Sequence, residues 1–138
     1  MKECHTFEHT ADVGLAASAD SFEGLLEALA EGLSSVVCDR QKVRPLQARE
    51  LSMQAEDAEA LAVDFLSAVS GLLQADAFLV AEARVLRASP TSVEARLLGE
   101  PYDPSRHEYL IEVKAVTYHQ LSVRREQELW TARVILDL

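Results

Sequence analysis

Two hydrophobic periods divide the chain. In "DSFEGLLEALAEGLSSVV" the apolar side chains Phe22, Leu25, Leu26, Leu29, Leu33, Val36 and Val37 recur at intervals of three and four, with two adjacent pairs, and so mark one face of a helix. Asp20 is placed to cap it, with Glu23 reaching back as in a capping box. A second helix is predicted after Asp57. There Leu61, Phe65, Val69 and Leu72 repeat at three or four, and Glu56, Asp57 and Glu59 suit the positive end of its dipole. Gly24, Gly32 and Gly71 weaken both patterns slightly.

Elsewhere the period is two. "VGLAASA" sets Val13, Leu15, Ala17 and Ala19 on one side of a strand, and "FLVAEARVLR" and "SVEARLL" form a hairpin interrupted by "ASPT". "YLIEVKAVTYH" and "LWTARVILDL" read as long late strands. Residues 99–108, poor in apolar side chains and holding Gly99, Pro101 and Pro104, read as a surface loop. Antiparallel connections with segregated helices predict an α+β fold, a two-layer sandwich of a mainly antiparallel sheet with two helices. All 138 residues fit a single domain, without internal repeat or low-complexity tract.

Charge narrows the partners. Twenty-three acidic residues against 13 basic ones leave a formal net charge of −10, and the only adjacent basic pair is Arg124–Arg125. Phosphate neutralisation needs clustered cations, so no tight direct binding of nucleic acid is expected. Cys4 and Cys38 show neither CxxC spacing nor the density of a disulfide framework, which fits reduced thiols in a cytoplasmic protein and no metal on sulfur. The first residues lack the apolar core of a signal peptide, and no stretch is read as long and apolar enough to cross a membrane.

Chemistry concentrates at the two ends of the sequence. "HTADV" places His9, Thr10 and Asp12 beside the strand that starts at Val13; turn-forming hydrogen bonds explain Asp12 and Thr10, and a satisfied histidine explains His9. In "VILDL", Asp137 lies on the strand face opposite Val134 and Leu136, and the carboxylate of Leu138 follows one residue later. Should the ends meet, Asp12, Asp137 and that carboxylate would bring three negative charges together, a conflict that a cation removes. An all-oxygen set suits Ca²⁺, Mg²⁺ or Mn²⁺ better than Zn²⁺. In "EVKAVTYH", Glu112 and Lys114 are expected on one strand face, as an exposed ion pair or a polar contact surface, with His107 in the loop before them. GxSxG, P-loop, HExxH and GxGxxG motifs are absent, so an independent enzyme, such as a metal-dependent phosphoesterase, has no motif under it.

Together "FEHTADVGL", "GE" with "EVKAVTYH", and the terminal "VILDL" resemble the archease family, in the same order around a two-helix middle section. The resemblance implies a metal-binding accessory protein of RtcB-type RNA-splicing ligases, which join RNA ends in tRNA splicing and RNA repair. Such proteins promote guanylylation of the ligase by GTP and its repeated turnover. It further implies that Asp12, Asp137 and the carboxylate of Leu138 hold a divalent metal, Ca²⁺ first, and that His9, His107, Glu112 and Lys114 fall in motifs that engage the ligase. Arg106 stands where some relatives carry lysine. A role as chaperone or modulator of tRNA-modifying enzymes such as methyltransferases is the alternative that the family suggests.

Overall fold

The computed structural model describes residues 1–9, 12–107 and 110–138, for residues 7–9 the backbone alone. Its elements run β1 (Lys2–His9), β2 (Asp12–Ala19), α1 (Phe22–Val37), a 3-10 turn at Arg40–Lys42, β3 (Gln47–Gln54), α2 (Ala58–Asp76), β4 (Phe78–Ser89), β5 (Ser92–Pro101), β6 (Ala115–Glu126) and β7 (Leu129–Asp137). All strand pairs among the described residues are antiparallel. The fold is α+β, as predicted, but its strands form two sheets, a four-stranded one in the order β1-β2-β7-β6 and a three-stranded one in the order β3-β5-β4.

The free edge of β4 is covered by a helix. Helix α1 lies along the edge of β4, where the Glu31 carboxylate accepts the Ala83 N–H at 3.0 Å and the Glu27 carboxylate accepts the Val85 N–H at 2.9 Å. Carboxylates thus satisfy edge donors that a further strand would otherwise take. Arg40 donates to the Ala81 carbonyl at 2.7 Å, and the Ser34 hydroxyl bonds the carbonyl of Val80.

Both helices pack between the sheets, α1 on β1, β2 and β4, and α2 on β6 and the three-stranded sheet. The core joins Leu15, Val134 and Leu136 of the large sheet to Leu25, Leu26 and Leu29 of α1, Phe65 and Leu66 of α2, and Phe78 and Leu97 of the small sheet. Helix α2 is long and apolar enough to span a bilayer by length and composition alone, contrary to the sequence reading. Its Leu61, Ala62, Val63, Phe65, Leu66 and Val69 are buried within the fold, the use a core helix makes of such a face.

Caps and strand ends differ locally from expectation. Helix α2 begins after Asp57 as predicted, and the Asp57 carboxylate caps it, accepting the Ala60 N–H at 2.8 Å, whereas α1 is capped not by Asp20 but by Ser21, whose hydroxyl accepts the Gly24 N–H at 3.0 Å. Asp20, one residue earlier, instead pairs with the amine of Met1 at 2.5 Å. Strands β1 and β3 have no counterpart in the periodic pattern, because "KECHTFEH" and "QARELSMQ" carry little apolar signal. Residues 99–101 belong to β5, so the loop starts later than predicted. At Gly99 an added Cβ would overlap the carbonyl of Leu79, so this residue's presence reflects close backbone approach within the sheet.

Candidate functional site

Four strands end in one row. His9 is in register with Asp12, Asp12 with Asp137, and Asp137 with Ala115. The Lys114 N–H extends this row by donating to the Asp137 carbonyl at 2.8 Å. Directly opposed residues of an antiparallel pair project from the same sheet face, with Cα atoms roughly 4.5–5.5 Å apart. The neighbouring pair Val13–Leu136 faces the helices, so Asp12 and Asp137 occupy the opposite face. Both are half-buried.

This register brings together carboxylates from opposite ends of the sequence. It supplies two hard oxygen donors, a set that fits a divalent cation of the calcium or magnesium type. Among the described residues there is no group of three or more His, Cys, Asp or Glu side chains arranged to hold a metal. Any ion here therefore needs oxygen from beyond this pair, such as the main chain at Leu138 or water. The Leu138 side chain packs against the core. The side chain of His9 lies outside the described residues.

Two other expectations change. Glu112 and Lys114 precede β6 rather than sharing a strand, and both are exposed. No ion pair joins them among the described residues. His107, expected in an open loop, is 3% exposed. Its Nδ1 accepts the Asp103 N–H at 2.9 Å, which places the proton on Nε2, and Nε2 then donates to the Glu100 carboxylate at 3.1 Å. A histidine so held fastens a loop; it does not present a ring to a partner.

Glu100, the second residue of "GE", is the centre of this cluster and is 4% exposed. It accepts the Arg44 backbone N–H at 2.9 Å, the Arg44 Nε at 3.0 Å and an Arg106 guanidinium nitrogen at 2.6 Å. Burial acts to raise its pKa, but the Arg44 backbone bond and those from Arg106, Arg44 and His107 outweigh it, holding the carboxyl down at about 2. Arg106 also donates to the Lys42 carbonyl at 3.2 Å, so the cluster ties the 102–107 loop to the segment before β3. Sequence spacing does not reveal this, because Arg44, which supplies two of the bonds, comes from a remote segment. Both cysteines are free thiols. Burial pushes the Cys4 pKa up to about 11 and raises that of Cys38, which favours the protonated thiol at both positions.

Fold and site define a small α+β protein that sets paired carboxylates at the end of an open sheet. The sequence matches the model of the Archease protein family over residues 5–138. It is 34% identical to "Protein archease" of Thermococcus gammatolerans, with all of both chains covered. It is 35% identical to that of Methanopyrus kandleri over 95% of this chain and 96% of the relative. The solution structure of Methanobacterium thermoautotrophicum protein 1598 superposes with a TM-score of 0.78 at 28% identity, covering 99% of this chain and 98% of that one. A Thermotoga maritima crystal structure described as "an archease, possible chaperone" has the same fold, with a TM-score of 0.60 at 24% identity over 96% and 94% of the two chains. The chain belongs to the archease family.

Proposed function

We propose that this protein is an accessory factor of an RtcB-type RNA ligase, promoting its guanylylation and multiple turnover in tRNA splicing or RNA repair. The observation that carries the reading is the Asp12–Asp137 register, which pairs two half-buried family-motif carboxylates on one sheet face. Asp12, Asp137 and the main-chain carboxylate of Leu138 would hold a divalent ion, Ca²⁺ first, with Mg²⁺ or Mn²⁺ as alternatives. When bound, such an ion supplies a hard positive charge that orients oxygen ligands. Lys114, whose backbone N–H is bonded to the Asp137 carbonyl, offers a polar contact beside the carboxylates, and the exposed Glu112 precedes it by two residues. His107 contributes indirectly, through the Glu100 cluster that secures the preceding loop. The net charge of −10 favours approach to a basic protein cleft over direct RNA binding. The protonated free thiols fit action in the cytoplasm.

The test is RNA ligation with the ligase well below substrate, GTP and divalent ion present, and this protein added or withheld. Many turnovers are expected only when it is added, and a folded Asp12→Ala/Asp137→Ala variant should lose that effect. Full activation by the variant would overturn the metal-site reading, and no activation by the wild-type protein would overturn the accessory role. Exposed Leu110 and Ile111 favour a second reading, a chaperone or modulator of tRNA-modifying enzymes such as methyltransferases. Protection of several unrelated RNA enzymes from aggregation, without divalent ion, would support it.

A further inference from the structure

We propose that the bulge at Tyr118, His119 and Gln120 is a docking finger for a basic protein surface, with the Tyr118 ring as its anchor. Between the pairs Thr117–Ile135 and Ser122–Arg133, β6 takes five steps where β7 takes two. Three extra residues must therefore leave the ladder. Gln120 adopts φ 53°, a left-handed conformation that a non-glycine residue enters at a cost. The base is secured by the Thr117 hydroxyl, which donates to the Ile135 carbonyl at 3.1 Å and accepts the His119 N–H at 3.3 Å. A hydrogen-bonded bulge of this kind re-aims side chains, and here it leaves Tyr118 62% exposed.

Position supports a role in contact. The bulge lies on the strand whose first residue, Ala115, is in register with Asp137. Three of the seven large exposed apolar residues among those described, Leu110, Ile111 and Tyr118, fall within this short part of the chain. Tyrosine gives a large rigid contact at low entropic cost, and its ring face attracts guanidinium and ammonium groups. The carboxylates in register with the start of this strand and the net charge of −10 select the same kind of partner, a surface rich in Arg and Lys. Single-stranded RNA would also stack on an aromatic ring, but its phosphates are repelled by this net charge.

This inference rests on the accessory-factor reading, and the experiment separates the two. Binding of the full-length protein to the ligase is measured alongside ligation turnover, binding to a single-stranded RNA oligonucleotide, and the shift in thermal unfolding produced by Ca²⁺. Tyr118→Ala should weaken ligase binding by at least about tenfold and leave the Ca²⁺ shift unchanged. Tyr118→Phe should stay within about threefold of wild type because the ring remains. Leu86→Ala, an exposed site on the three-stranded sheet, should change nothing. Wild-type affinity in Tyr118→Ala, with turnover still stimulated, overturns the docking finger and spares the accessory role. Absence of ligase binding by the wild-type protein overturns both, and tight RNA binding lost in Tyr118→Ala overturns the choice of a protein partner.

Discussion

Replacing Glu100 with glutamine keeps the side chain's shape and removes its charge. In the native protein the carboxyl pKa falls from its ordinary 4.5 to about 2. At about 1.36 kcal/mol per unit, this corresponds to an upper bound near 3 kcal/mol of preference for the ionised form. Arg44 is 54% exposed, so solvent screens part of its contribution, and a loss of about 2 kcal/mol is expected for Glu100→Gln at pH 7. Because the folded carboxyl has the lower pKa, the unfolded chain takes up the proton first as pH falls. The stabilisation is whole above about pH 4.5 and is lost on approach to about pH 2. Urea unfolding of wild type and variant at pH 7, 4 and 3 measures this directly. The stability difference should shrink as the wild-type carboxyl protonates, while the other carboxylates, common to both proteins, largely cancel. A difference that stays constant from pH 7 to pH 3, or is absent at pH 7, would refute the account of a buried anion held by its donors.

Three further outcomes follow from local geometry. Ca²⁺ at 100 times its dissociation constant should stabilise the wild-type protein by about 2.7 kcal/mol, and Asp12→Ala should abolish that gain in a thermal melt; an unchanged gain would place the ion elsewhere. An added Cβ at Gly32 would overlap Cys4 Sγ, while alanine adds about 1 kcal/mol of helix propensity inside α1, so Gly32→Ala should be less favourable in the wild-type protein than in a Cys4→Ala background, as a double-mutant cycle of unfolding energies would show. Ala77 ends α2 with φ 51°, its N–H bonded to the Leu72 and Leu73 carbonyls, a position where glycine is preferred. Ala77→Gly should therefore raise the unfolding free energy by up to about 1 kcal/mol in denaturant titration.

Local periodicity made α1, α2 and the β4–β5 hairpin legible, because each buries an apolar stripe repeating at the period of its own backbone. The motifs likewise pointed to Asp12 and Asp137 before any register was known. What they lacked was distance: only the antiparallel pairing of β2 with β7 makes those carboxylates neighbours. The split into two sheets, with Glu27 and Glu31 bonded to edge amides of β4, rests on contacts between remote segments that no local pattern encodes. The same holds for His107, which in sequence is a polar residue in a polar loop and in the fold is buried on Glu100. Hydrophobic period is a property of neighbouring residues, whereas register, the pairing of distant charges and the burial of a polar side chain arise only when remote segments pack together.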